Sequence, residues 1–241
     1  MKIAIISDIH GNMEAFEQVS ADIASSRVDD IISIGDHIGY GPQPEEVIKR
    51  IRQRNITALQ GNHELALVEP TYLDWFNQAA RKSLNITRQL LSPQSINFIG
   101  NLKTHWSAHG CRFVHGFPPD SVLTYLFQLS DETKIQSLEQ LSEKRCFIGH
   151  THTLDIVSFG RQGLKSGKLK EGLNKLDSRR KYIISAGSVG QPRDGNNKAK
   201  YLIWDSTEDT VDVRFVAYDI AAVVEKMMAA GLPQKHAQRL W

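Results

Sequence analysis

The 241-residue sequence predicts an α/β fold on three observations. Short apolar runs alternate with stretches of helical periodicity over the first half, a βαβ pattern that builds a largely parallel sheet. Most of those runs end in a turn carrying carboxylates, imidazoles or both, which is where open α/β sheets present ligand-binding groups. The second half is rich in strands and turn residues and reads as a mainly antiparallel second sheet.

Composition supports this class and excludes others. At 41% hydrophobic and 23% charged, the chain has the balance of an ordinary water-soluble protein with a substantial core. A net charge of +2 is too small to imply a nucleic-acid polymer as partner. No apolar stretch approaches the ~20 residues that span a bilayer, and the N-terminal run carries Asp8 where a signal peptide would be uninterrupted. The expectation is a cytoplasmic protein with no membrane partner. Cys111 and Cys146 each fall in a predicted strand and read as reduced, buried thiols. Without repeats or linkers, residues 1–241 are expected to form one domain.

Ile3 to Ile6 is a buried strand ending in Ser7-Asp8-Ile9-His10-Gly11-Asn12. Met13, Phe16, Val19, Ile23 and Ala24 then recur at helical spacing. Ile31 to Ile34 is a second strand, running into Gly35-Asp36-His37. Pro44 to Arg54 is a helix with Pro in its first turn, and Ile56 to Leu59 a third strand, ending in Gly61-Asn62-His63-Glu64. From Thr71 to Leu102 only helical patterns occur, an insertion that fits a cap over the strand ends as well as a helix pair packed on a sheet.

Arg112 to Val114 is a strand before His115-Gly116. Helical stretches follow at Asp120 to Gln128 and Asp131 to Leu141, then a strand from Arg145 to Ile148 and Gly149-His150-Thr151-His152. Leu154 to Phe159, Gly163 to Leu169, Tyr182 to Ser185, Ala199 to Trp204 and Val211 to Val216 make up the second sheet. Lys and Arg gather in Arg161 to Lys170 and Lys175 to Lys181, interrupted by Glu171 and Asp177, and read as a solvated hairpin rather than a binding patch. Asp219 caps a closing helix that Gly231 stops.

Asp8, His10, Asp36, Asn62, His63, His115, His150 and His152 all sit at strand ends, and they include five of the nine histidines. Carboxylates, imidazoles and an amide oxygen together suit manganese, iron, zinc or nickel better than a dedicated magnesium or calcium site. Seven ligand candidates exceed what one ion needs, and with a shared carboxylate they suffice for two. Two ions ~3.5–4 Å apart can activate water and clamp the attacking and leaving oxygens of a displacement at phosphorus.

The five motifs Asp-x-His, Gly-Asp, Gly-Asn-His-Glu, lone His and Gly-His-x-His, in that order from Lys2 to about Trp204, resemble the calcineurin-like metallophosphoesterases. The resemblance implies two mixed β-sheets stacked face to face with helices outside. It implies Asp8, His10 and His152 on one divalent transition metal, manganese first among the candidates, and Asn62, His115 and His150 on the other, with Asp36 bridging. It places His63 beside the substrate, stabilising phosphoryl charge or protonating the leaving oxygen, and it implies attack by a hydroxide held between the two ions.

Protein serine/threonine phosphatases of this superfamily carry Gly-Asp-x-x-Asp-Arg-Gly, whereas Gly39 and Tyr40 stand at the second Asp and the Arg here, and Gln60 replaces an Arg. Gly41-Pro42 instead resembles the small prokaryotic phosphoesterases, and that resemblance implies a small substrate: a phosphodiester, a nucleotide or a dinucleoside polyphosphate. A phosphoprotein phosphatase and a non-catalytic scaffold are the alternatives, and a scaffold is expected to have lost His63 or a ligand. Ser185 to Gly195 resembles the loop that follows Gly-His-x-His in the small enzymes. Arg193 there is a candidate for binding phosphate, against a turn residue paired with Asp194. His37 reads as satisfied by backbone, and His105, His109 and His236 as surface residues. Both a monomer and a homo-dimer are compatible with the sequence.

Overall fold

A computed structural model describes residues 1–241. Strand β1 (Lys2–Ile6), helix α1 (Met13–Ser25), strand β2 (Asp30–Ser33), helix α2 (Pro44–Gln53) and strand β3 (Thr57–Ala58) form the opening βαβαβ unit. Helices α3 (Asn62–Val68), α4 (Gln78–Leu90) and α5 (Pro93–Gly100) follow, with a 3₁₀ turn at Pro70–Trp75. Then come β4 (His105–Ala108), β5 (Cys111–Val114), α6 (Asp131–Gln140), β6 (Arg145–Ile148), β7 (Asp155–Gly160), β8 (Gly163–Lys168), β9 (Gly172–Lys175) and β10 (Lys181–Ser185). The chain closes with β11 (Ala199–Asp205), β12 (Thr210–Val216), α7 (Ile220–Ala229) and α8 (Gln234–Gln238).

Two six-stranded mixed sheets result, in the orders β3-β2-β1-β11-β12-β9 and β4-β5-β6-β10-β7-β8. Each contains a parallel trio, β1 with β2 and β3 in the first and β6 with β5 and β10 in the second. Alternation along the strands builds the layers. Ile3 and Ile5 face Phe113, Phe147 and Ile184 across a core between the sheets, while Ala4 and Ile6 face Phe16, Val19 and Ile23 of α1. On the outer face of the second sheet, Cys146, Ile148 and Ile183 pack on Leu138 of α6. Both cysteines are free and buried, as expected.

Phe147 lies fully buried 5.5 Å from Phe113 and 5.9 Å from Trp204, ring centre to ring centre, so it joins the two sheets. Phe147→Ala is expected to cost about 3–5 kcal/mol, read as a lower urea midpoint at unchanged slope.

Four sequence expectations need correction. The late strands do not form one antiparallel sheet: β9, β11 and β12 extend the first sheet, and β7, β8 and β10 complete the second. Apolar alternation defines a strand's faces but not which neighbour it pairs with. Asp120 to Gln128 holds only a 3₁₀ turn at Leu126–Gln128, and the short strands β4 and β9, with no buried residue, carry no apolar run that marks them in the sequence. Of the basic clusters, Arg161 to Lys170 does form the exposed β7–β8 hairpin, whereas Lys175 to Lys181 crosses from one sheet to the other. His236, expected at the surface, is buried on α8.

A candidate metal centre at the seam of the two sheets

The loops after β1 and β2 are laced together at the ends of their strands: Asp8 N–H donates to Gly35 O at 3.1 Å and His10 N–H to Asp36 O at 2.9 Å. From the other sheet, Gly149 N–H donates to His115 O at 2.8 Å. A third segment joins them, with Gly190 N–H on Asp8 O at 2.9 Å. The Glu64 carboxylate binds the β2 loop to α3: Oε2 accepts from the amides of Asp36 and Gly61, both at 2.8 Å, and Oε1 from the His37 amide at 2.8 Å. Gly61 makes that approach possible, since a Cβ there would lie 2.2 Å from Asp36 Oδ1.

Five residues of this cluster have left-handed backbone, Asp8 (φ 54°), His10 (50°), Asp36 (54°), His150 (65°) and His152 (57°). Non-glycine residues rarely adopt that region, and strained conformations of this kind concentrate at functional sites.

The imidazoles are oriented by main-chain carbonyls. Nδ1 of His10 donates to Ile38 O at 2.9 Å, Nδ1 of His115 to Ile34 O at 2.9 Å, and Nδ1 of His152 to Gln191 O at 2.6 Å. A carbonyl only accepts, so each of these rings, once neutral, turns a bare Nε2 lone pair into the centre. His150 is reversed, with Nε2 donating to Leu123 O at 3.1 Å and Nδ1 left bare.

Those lone pairs meet other acceptors. His10 Nε2 lies 3.2 Å from His152 Nε2, which lies 3.2 Å from Asp8 Oδ1. His115 Nε2 lies 3.1 Å from Asn62 Oδ1 and 3.3 Å from Asp36 Oδ2. Asp36 Oδ2 is also 3.7 Å from His10 Nε2, so it belongs to both sets. Asp8 Oδ1 is buried with no hydrogen-bond partner. Proton-poor atoms crowded in this way repel one another unless a cation lies among them. Asp8, His10, Asp36 and His152 form one group able to hold a metal ion, and Asp36, His115 and His150 another.

His63 stands beside this cluster at the N-terminus of α3, its amide donating to Asp36 Oδ1 at 3.0 Å and its Nε2 3.9 Å from Asp36 Oδ2. No side chain accepts from its Nδ1. The ring is held by aromatic walls instead, with Tyr40 at 4.5 Å and Phe76 at 4.9 Å between ring centres. Gly39 leaves the slot: its φ is +82°, and a Cβ there would lie 2.1 Å from His63 Nδ1. At Gly39 and Tyr40, the positions that depart from the protein phosphatases, the structure thus holds His63 by packing.

All nine singled-out residues converge on one place, with Arg193 at the pocket wall over the Tyr40 ring. Asp194 pairs with Lys200, not with Arg193. The helical insertion contributes Trp75, Phe76, Asn77 and Ala80 to the pocket while also packing on other helices, so it forms a wall. His37 corrects its expectation: it is buried, its ring nitrogens have no hydrogen-bond partner, and Nδ1 lies 3.4 Å from Glu64 Oε1. Tyr40 and Tyr125 line the pocket and carried no sequence signal, because an isolated tyrosine in a loop has no period. His236 of α8 stands behind Tyr40 at 4.5 Å between ring centres.

A family model described as the calcineurin-like phosphoesterase superfamily domain matches residues 1–209. The chain belongs to that superfamily. An uncharacterised protein of Methanocaldococcus jannaschii is 32% identical to this phosphoesterase-family chain over 246 residues, covering 99% of this chain and 97% of that one. The crystal structure of a metallophosphoesterase from Sphaerobacter thermophilus superimposes with a TM-score of 0.85 at 33% identity, covering 100% of this chain and 98% of that chain. A shorter match, 31% identical over 68 residues, covers 28% of this chain and 31% of serine/threonine-protein phosphatase 2 of Escherichia coli. The stacked mixed sheets are the fold expected of a calcineurin-like phosphoesterase, and no helix is long and apolar enough to cross a membrane.

Proposed function

We propose that the chain hydrolyses a small phosphate ester with the help of two divalent cations, one held by Asp8, His10, Asp36 and His152 and the other by Asp36, Asn62, His115 and His150. The observation that carries this reading is the convergence of bare lone pairs on both sides of Asp36 Oδ2, with Asp8 Oδ1 buried and unpaired. When bound, such ions polarise phosphoryl oxygens and bring the pKa of a water nucleophile near neutrality.

The chain's own residues then divide the work. Asp36 anchors both halves of the cluster and, through its Oδ1, the amide that starts α3. Burial holds the His63 ring well below the usual imidazole range, against the pull of the Asp36 carboxylate. An anionic ester beside it favours the protonated ring, which donates to the phosphoryl or leaving-group oxygen. Arg193 offers its fork to a phosphate oxygen from its place over the Tyr40 ring. The aromatic rings of Tyr40, Phe76 and Tyr125 exclude water and favour an organic substituent over a bare phosphate.

A phosphoprotein phosphatase draws support from the local 68-residue likeness alone. Gly39, at the position where those enzymes carry an Asp, weighs against it. The scaffold reading is disfavoured because His63 and all seven proposed ligands are present.

The test is hydrolysis of bis-p-nitrophenyl phosphate, p-nitrophenyl phosphate and a phosphopeptide by chelator-stripped protein before and after adding Mn²⁺. Metal-dependent turnover of the diester, abolished in His63→Ala at unchanged metal content, is expected. Faster turnover of the phosphopeptide would replace this reading with the phosphatase, and silence on every ester with two ions bound would replace it with the scaffold. Gly39→Ala is expected to mimic loss of His63, lowering kcat by about 10²–10⁴-fold while metal content, measured by mass spectrometry, stays unchanged.

A further inference from the structure

The pocket above the ligand cluster encloses about 120 Å³. Sites that enclose a drug-sized organic molecule run to about 300–1,000 Å³, so this one accommodates a phosphoryl group and the few atoms next to it. A groove of about 700 Å³ adjoins it and shares Tyr125 and Arg193 as walls. The groove lies between the β7–β8 hairpin, α6 and the turn at Leu126–Gln128.

Two features define what the groove accepts. Tyr125 packs over the His150 ring at 3.7 Å and continues to Phe127 at 5.0 Å, ring centre to ring centre. Phe127 itself is 71% exposed, an aromatic ring offered at the groove wall. The charged side chains lining the groove are Lys134, Lys168 and Arg193 against the single carboxylate of Asp155, which pairs with Lys168 at 2.6 Å. An aromatic step with a basic border matches a flat ring attached to an anion.

Building on the phosphoesterase reading above, we propose that this groove is a second subsite, holding the nucleoside portion of a two-sided phosphate ester. The base stacks at Tyr125 and Phe127, and any further phosphate of that substituent faces Lys134 and Lys168. The scissile phosphorus remains in the small pocket with Arg193 at the junction. The preferred substrate is a nucleotide diester or a polyphosphate-linked nucleotide, and a compact monoester leaves the groove empty.

Two diesters with the same leaving group test this: thymidine 5′-(p-nitrophenyl phosphate) and methyl p-nitrophenyl phosphate, each with manganese-loaded protein. The nucleoside diester is expected to show at least a tenfold higher kcat/KM, and Phe127→Ala to reduce that ratio roughly tenfold, the size of one base-stacking contact, mainly through KM. Truncating an exposed ring leaves the fold intact, which circular dichroism checks. Equal kcat/KM for the two diesters, or a ratio untouched by Phe127→Ala, overturns the subsite while leaving the phosphoesterase standing. If neither these diesters nor p-nitrophenyl phosphate reacts, the phosphoesterase reading has failed, and calorimetric binding of thymidine 5′-monophosphate still decides the groove. Roughly tenfold weaker binding to Phe127→Ala supports it, and equal binding overturns it.

Discussion

Asp36→Ala is expected to yield a folded protein that retains neither cation and hydrolyses no ester above background. The carboxylate enters both ligand groups, its Oδ2 lying 3.3 Å from His115 Nε2 and 3.7 Å from His10 Nε2. Removing it leaves each group with one anion fewer and the remaining bare imidazoles facing one another. It also frees the His63 amide, which donates to Oδ1 at 3.0 Å, so the variant loses ligand and positioning together. The fold survives because Glu64 still accepts from the amides of residues 36 and 37, independently of the Asp36 side chain. The checks are metal-to-protein stoichiometry and turnover of bis-p-nitrophenyl phosphate. His63→Ala is the contrast, keeping its ions while kcat falls by about 10²–10⁴-fold. An Asp36→Ala protein with two ions per chain would remove Asp36 from the bridging position.

The second large effect is on stability. Each cation present at 100 times its Kd stabilises the folded state by about 2.7 kcal/mol, so two contribute about 5 kcal/mol. At about 2–4 °C per kcal/mol for a chain of this size, loading is expected to raise Tm by about 10–20 °C.

The gain should depend on pH in a direction set by the metal-free site. Burial pushes His10 down to about 4; it also pushes His150 down to about 3, with help from His115. The folded chain therefore refuses protons that the unfolded chain accepts below about 6.5, and stability drops as pH falls through that range. His115 behaves oppositely: burial disfavours its cation, but the Asp36 carboxylate prevails and lifts it to about 9. Its stabilising proton is present below about 6.5 and lost as pH rises towards 9. Asp8, raised to about 7 by burial, becomes costly to ionise over the interval below that value.

Below about 6.5 the depressed imidazoles, His63 and His152 among them, outweigh Asp8, whose cost is complete near pH 7, and above that the loss of the His115 proton weakens the fold. Metal-free protein should be most stable near pH 6.5. Cations need Asp8 and His115 deprotonated, so the loaded-minus-free difference in Tm should be larger at pH 8.5 than at pH 6. Calorimetry of both forms checks it, and a difference that shrinks at alkaline pH would refute the assignment.

The ligand set was legible because four of its seven members close an apolar run, Asp8 after Ile6, Asp36 after Ile34, His115 after Val114 and His150 after Ile148, and the other three lie in the same kind of turn. Burial on both faces makes such runs continuous, and the sharp change to polar turn residues marks their ends. Which strand lies beside which was not legible. Nothing local distinguishes β10, which pairs in parallel with β6, from β11, which pairs antiparallel with β1. The support for His63 was hidden for a different reason. It depends on Tyr40 and Phe76 meeting across an interval of chain that contains α3, and on the absence of a side chain at Gly39. Contacts between loops leave no periodicity to read.

The left-handed backbone at Asp8, His10, Asp36, His150 and His152 bears on how such a protein can be improved or lost. Strained positions of this kind cost on the order of 1–3 kcal/mol each, and glycine or asparagine would sit there more comfortably. A library of random variants selected for heat resistance in the presence of chelator would therefore enrich replacements at these five positions, and every winner would be catalytically dead. The same selection run with manganese in the medium would reject them. Descendants released from their chemistry have an open route to sturdier, inert versions of the same architecture.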